Sequence, residues 1–435
     1  MTLLLTYPVL PNGFQSLSIA LFVISCIYFN WQIFKKNWNQ IDWKHILILT
    51  AWFLLLALTI VYSPNKEKGF DYIIRGLSLI LLPFIFLYFF PKISQKQKLF
   101  LFACFIILHI LILCFIYYSI IKGIDEIGYF NENGKRIKGI FNSSWLNQFV
   151  IFIEMPFSVS RFYLNENEIS EIFIHKAYLS MGYLWCILLM LYAVVRENIS
   201  GYLKVLFVFL IFLFSTVVIY FTSIPNILAL VVLVPIFTFV LIRKRIFRIW
   251  FVIGLSLMIM MFLNTSFVKE KIFQDKRLVH GIEESEQLLK SVFFNKKTDG
   301  SNIRLEVWKC SYNNIKDKWF LGYGLGSEES VLTKCYSKNN CDLCLSHMFN
   351  SHNQYASLFL NGGILILLLF IISMIYSMMM ALKMSNYLYL FFLILFTINL
   401  LSESMLIRIH GILFYSIFNS LFFATGLKEK FHILE

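Results

Sequence analysis

The chain has 435 residues, of which 59% are hydrophobic, 18% aromatic and only 14% charged, with a formal net charge of +13 and a mean hydropathy of +0.72. A water-soluble globule of this size cannot hide that much apolar surface, so the exterior has to face lipid. Lysine and arginine outnumber the acids 38 to 25, but the excess falls in short loops beside apolar runs; that is a pattern of membrane orientation, and no nucleic-acid partner is expected.

The first residues, Met1 to Gly13, carry no positive n-region and no small-residue cleavage site, so the first span is expected to act as its own signal. A hydrocarbon core about 30 Å thick needs about 20 apolar helical residues, and at that window the chain reads as an all-α integral membrane protein with about eleven spans, ten to twelve at the limits. They run from Phe14 to Ile33, His45 to Tyr62, Asp71 to Phe90, Leu99 to Ile121, Ile172 to Val195, Tyr202 to Phe221, Ile224 to Ile242, Ile249 to Leu263, Gln354 to Met380, Tyr387 to Leu401 and Gly411 to Thr425. Threading them puts every basic cluster on one side: Lys35, Lys36 and Lys44; Lys92, Lys96 and Lys98; Arg196 and Lys204; Arg243, Lys244, Arg245 and Arg248; Lys383; Lys428 and Lys430. By the positive-inside rule both this side and the C-terminus are cytoplasmic, and the N-terminus is outside.

The opposite side then carries two long segments, 122–171 and 266–351. The expected organisation is an N-terminal bundle over 1–265, a large external cap loop over 266–351 between the eighth and ninth spans, and C-terminal helices over 352–435. A loop as long as the second is functional or disordered. The run IRLEVWKCSYNNI sets Ile303, Val307, Cys310 and Ile315 near one helical face, which favours an ordered amphipathic element. The internal repeat that marks inverted-repeat transporters is not visible.

The chemistry-bearing stretch is Phe349 to Leu365, FNSHNQYASLFLNGGIL, a polar His-Asn-Gln-Tyr cluster leading into a Gly-Gly-containing span. It resembles the C-terminal signature of the bacterial O-antigen ligase and polymerase family, a His-Asn-x-Tyr followed by a Leu-rich helix. The run from Ser301 to Ser327 resembles that family's Arg-x-x-x-Trp helix and Gly-x-Gly-x-Gly turn. HKAYLSMGYL from His175 and SESMLIRIHG from Ser402 are weaker matches in the right order. Order and spacing carry the resemblance, since each tetrapeptide alone is a coincidence-grade match.

The resemblance implies transfer of an undecaprenyl-diphosphate-linked glycan to an acceptor sugar, lipid A core or similar, at the periplasmic face of the inner membrane, with no cofactor and no metal. Polymerisation of lipid-linked repeats is the alternative within the family. A polysaccharide or lipid flippase is the alternative from another class. By resemblance His352 activates the acceptor hydroxyl, a role that suits an imidazole; a helix cap or a bond to an interfacial lipid is the plainer reading. Arg304 matches the family's loop arginine, whose guanidinium fork suits a diphosphate; a surface ion pair with Glu306 is its plainer reading. Asn353 and Tyr355 are expected beside the substrate, and His175 and Tyr178 bind sugar or diphosphate or simply pack.

The pattern departs at Phe221, where FTSIPNILALVV holds no arginine in place of the family's Ser-Arg pair. Either another cation supplies that charge, with Arg75, Arg161, Arg277 and Arg408 as the candidates, or the activity differs from the family's. Arg75 falls inside an apolar window, so a paired or functional role competes with snorkelling to the headgroups. The Gly322 to Ser330 turn is read as a re-entry of the cap to the membrane in preference to a phosphate loop, because it lacks the Gly-Lys-Ser ending. Cys310, Cys335, Cys341 and Cys344 share the external loop; one or two disulfides are expected there in an oxidising compartment, with zinc and free thiols as the alternatives and the pairing open.

Overall fold

The computed structural model describes residues 1–10, 12–36, 43–127, 129–130, 136–137, 176–221, 223–246, 248–249 and 303–430. Apart from one antiparallel ribbon, Tyr129–Phe130 against Arg136–Ile137, the regular structure among these residues is helical. Among the described residues nine helices are long and apolar enough to cross a membrane: Gly13–Gln32, Trp43–Tyr62, Lys66–Tyr88, Gln95–Ile116, Lys176–Arg196, Gly201–Ile219, Ile224–Leu241, Gln354–Lys383 and Ile409–Lys430. Tyr387–Leu400 is apolar but shorter. Beyond its first residue the expected span from Ile249 to Leu263 lies outside the described residues, as do most of 122–171 and all of 266–302.

The chain forms two compact units, Met1–Phe22 with Ile93–Asn226, and Val23–Lys92 with Ile227–Glu435. This grouping is not sequential: residues 23–92 pack with the C-terminal half and with the cap. In the first unit the Lys176–Arg196 helix buries nearly all of its first fifteen residues. Gly182 there lets the buried His109 ring come against its backbone. Tyr183 donates its hydroxyl to His109 O at 3.1 Å, and His109 Nδ1 lies 2.9 Å from Phe105 O, so that this intramembrane imidazole is bonded within its own bundle.

In the second unit an aromatic core of Trp52, Phe370, Phe392, Phe396, Phe414 and Phe418 joins the helices. At one end Lys428, 6% exposed, donates to the carbonyls of Phe86 and Phe90 and closes the Ser78–Tyr88 helix with a positive charge. The cap contributes three helices, Ile303–Asp317, Glu328–Lys338 and Asp342–His347. They share a core of Val307, Cys310, Leu332, Tyr336 and Cys344, with Ile303 and Ile315 packed against it. The apolar face read from the sequence is therefore the face that folds the cap.

The Gln354–Lys383 helix is broken at Gly363 (φ 72°, ψ −172°). That conformation is open to glycine alone among the residues, and it interrupts the helical hydrogen-bond ladder. The cap repairs it: Tyr323 N–H donates to Leu360 O at 2.8 Å, Gly324 N–H to Asn361 O at 2.9 Å, and Ile364 N–H to Trp319 O at 2.9 Å. Such close approach needs glycines on both sides. A Cβ on Gly363 would overlap Phe320 O, and one on Gly324 (φ 93°) would come 2.7 Å from Ser63 Cα. We expect Gly363→Ala to cost about 1–3 kcal/mol in backbone strain alone and more in displaced contacts, read as loss of monodisperse protein in gel filtration; full recovery of the mutant would contradict the repair.

Candidate functional site

His352 occupies the turn where the cap enters the Gln354–Lys383 helix. Its φ of 44° is left-handed, a region in which histidine is enriched among non-glycine residues, and its N–H donates to Asn350 Oδ1 at 2.9 Å. The next residue, Asn353, is the N-cap: Oδ1 accepts the N–H groups of Tyr355 and Ala356 at 2.9 and 3.0 Å. Its Nδ2 donates to Leu401 O at 3.0 Å. Gln354 Oε1 accepts the Leu406 N–H at 2.6 Å. These bonds staple the His352 turn to the 401–408 turn. They bring Oε2 of Glu403, a buried side chain, to 3.3 Å from His352 Nδ1. A carboxylate there accepts the Nδ1 proton, which leaves Nε2 of the neutral ring as the nitrogen with a lone pair.

Behind this turn lies a second carboxylate. Glu328, 4% exposed, opens the Glu328–Lys338 helix and accepts three donors: Ser351 N–H at 2.9 Å, Asn361 Nδ2 at 3.2 Å and the Ser357 hydroxyl. One side chain thus ties a cap helix to the backbone next to His352 and to two residues of the broken span. Tyr336 adds a latch by donating its hydroxyl to Phe349 O at 2.9 Å. Burial, reinforced by the neighbouring Glu328 charge, pushes that phenol above its ordinary range and keeps it a donor.

Cations surround the same region. Arg408 is exposed on the turn that carries Glu403. Arg75 lies within the candidate span Lys66–Tyr88, in the last turn of its first helix, Lys66–Gly76, half exposed and paired with Asp71 at 3.1 Å. The span continues as Ser78–Tyr88 beyond it. Tyr72 lies within electrostatic reach of Glu328, Arg75, Glu329 and Arg408. Lys68 is paired with Glu329 at 2.6 Å. Arg304 is exposed on the Ile303–Asp317 helix, and Glu306 pairs with Lys309 at 2.9 Å instead of with it. Tyr355 is half-buried within the bundle, 6.1 Å between ring centroids from Phe370. Tyr178 is buried in the first unit. His175, Arg161 and Arg277 lie outside the described residues.

Residues 207–371 match the family model described as O-antigen ligase. The chain carries an O-antigen ligase family region. The match takes in Arg304, the glycine turn, Glu328 and His352, and ends before Glu403 and Arg408. No curated protein matches the chain. The family suggests glycan transfer of the O-antigen ligase and polymerase type, and together with the apolar helices it points to a bacterial membrane protein.

The family region's four loop cysteines form two disulfides, Cys310–Cys335 and Cys341–Cys344. The first clamps the Ile303–Asp317 helix to Glu328–Lys338 across a separation of 25 residues. By loop-closure entropy it is worth about 3 kcal/mol. We expect paired replacement of Cys310 and Cys335 by serine to speed hydrogen exchange throughout 303–349 and to spare the spans. Unchanged exchange in the cap would sink that expectation. Sequence reasoning missed Glu403 and Glu328. The only signal for either was the polar SES step at Ser402 within an otherwise apolar stretch.

Proposed function

We propose that this protein transfers a glycan from undecaprenyl diphosphate to an acceptor sugar, lipid A core or similar, at the periplasmic face of the bacterial inner membrane. The observation that carries the reading is the His352–Glu403 pair at the head of the broken span, set within a chain of the matching family. In the proposed reaction the acceptor hydroxyl gives its proton to Nε2 of His352 as its oxygen attacks the anomeric carbon. The bond from that carbon to the diphosphate breaks, and the electron pair leaves on the diphosphate oxygen. A cation must meet that charge.

Arg408 is the best placed, on the same turn as Glu403, and Arg304 is exposed on the cap. Arg75 is engaged by Asp71 and serves once that pair opens. These arginines take the place of the one absent at Phe221. Asn353, already bonded on both sides of its amide, holds the turn and contributes one remaining N–H to substrate. Tyr355, which follows on the same helix, is a further substrate contact in the same reading. The chemistry needs no metal, because base and cations are all side chains.

Placement of the cap on an oxidising face is supported by its disulfides, which a reducing cytosol would not maintain, whereas Cys26, Cys104, Cys114 and Cys186 are free. The test is purified full-length protein in nanodiscs, with EDTA, given an undecaprenyl-diphosphate glycan and candidate acceptors. Product on lipid A core supports the ligase reading, and elongation of the lipid-linked glycan itself supports polymerisation. Movement of the glycolipid across the bilayer with no new glycosidic bond would replace both with a flippase.

A further inference from the structure

The segment Trp319–Phe320–Leu321 is held by its backbone and left bare at its side chains. Trp319 O accepts the Ile364 N–H at 2.9 Å, Leu321 O accepts the Tyr62 hydroxyl at 2.6 Å, and Gly322 N–H donates to Lys318 O at 2.9 Å. Yet the three side chains are 56%, 57% and 56% exposed. Three consecutive large apolar residues fixed in this way are neither a disordered tip nor part of the cap's core.

Their height along the span says what covers them. Below the break at Gly363, the helix presents Leu365, Leu368, Ile372, Ile375, Met379 and Leu382 as one exposed apolar stripe. From Ile364 to Lys383 that helix spans about 20 residues, or about 30 Å, the thickness of a hydrocarbon core. Above the break its residues are mostly buried, among them Ser357, Leu358, Leu360 and Asn361. Trp319 therefore meets the span at the upper limit of its lipid-facing stripe. Tyr62, which holds Leu321, ends the Trp43–Tyr62 helix next to the exposed Val61. Lys316 and Lys318 flank the segment, their ammonium groups 4.3 Å over the Tyr312 ring and 4.8 Å over the Tyr323 ring. Tryptophan and tyrosine at the rim with lysines beside them are the residues that settle at the boundary of acyl chain and headgroup.

We infer that Trp319, Phe320 and Leu321 are a membrane anchor: the cap inserts this wedge into the lipid beside Ile364 and Tyr62, with Lys316 and Lys318 at the phosphate level. The occupant of the surface is the phospholipid bilayer, because the wedge continues the lipid-facing surfaces of two spans without a step. The inference goes beyond the transfer chemistry and stands without it, needing only that the chain crosses a membrane.

The test uses the full-length protein labelled with fluorotryptophan in nanodiscs holding one copy each. Loss of a fluorine resonance in Trp319→Phe assigns that residue, and Trp308, partly buried against the cap's core, is the control. A phospholipid spin-labelled high on its acyl chain is expected to broaden the Trp319 resonance severalfold more than that of Trp308, while a water-soluble paramagnet leaves it sharp. Broadening by the soluble reagent alone would place the wedge in water and overturn the inference. Insensitivity to both would mean that another part of a protein covers it, which overturns it as well. A photoreactive phospholipid gives a check that needs no variant: in the wild-type chain, crosslinks on 316–321 are expected, and none there would contradict the anchor.

Discussion

Replacing His352 with alanine is expected to slow glycan transfer by roughly 10²–10⁴-fold, the range a positioned general base contributes, with donor binding and fold retained. Retention follows from the geometry: the turn is held by Asn353, Gln354 and Ser351, whose bonds do not involve the imidazole. Glu403→Gln should lower kcat in the same sense but by less. An amide at 3.3 Å can donate to Nδ1 and so stabilise the tautomer whose proton sits on Nε2, which is the wrong one for a base. Single-turnover transfer with a fixed donor, compared among wild type, His352→Ala and Glu403→Gln, separates the roles. Undiminished transfer by the folded His352→Ala protein would remove the imidazole from the chemistry. A Glu403→Gln defect confined to KM would make Glu403 a substrate contact and not an orienting group.

Nine of the expected spans were legible among the described residues because their signal is local: about 20 apolar residues between polar punctuation need no partner to be read. The amphipathic run from Ile303 was legible for the same reason, and Val307 and Cys310 are fully buried on the expected face. What stayed hidden depends on residues distant in sequence. The break at Gly363 stayed hidden within a Gly-Gly-containing span, because the backbone that completes the hydrogen bonds there comes from Trp319, Tyr323 and Gly324. Glu403 lies 51 residues after His352 and Glu328 lies 23 before Ser351. Neither has a spacing that announces its partner; each is visible only once two turns are stapled together.

Glu328→Ala is expected to be the most damaging single change to the cap. It would strand the Ser351 N–H, the Ser357 hydroxyl and one N–H of the Asn361 amide, whose nitrogen keeps its bond to Ser357 O at 2.8 Å, in a place where Glu328 itself is 4% exposed. A buried donor without a partner costs about 1–3 kcal/mol. Three that share one acceptor do not add simply, but the loss should reach roughly 3 kcal/mol. Glu328→Gln keeps the volume and one acceptor oxygen while turning an NH₂ group toward donors, so it should fall between alanine and wild type. The loss should be local. Cys310–Cys335 still closes the cap, and the aromatic core of Trp52 and Phe370 is untouched, so hydrogen exchange should rise in 328–361 and hold steady in 364–383. Because Ser351 directly precedes His352, transfer should decline with that local opening, and Glu328→Gln should restore both together. If Glu328→Ala left exchange in 328–361 at its wild-type level, the carboxylate would not be what joins the cap to the span. If exchange rose but transfer did not change, the bond to Ser351 would have no part in placing His352.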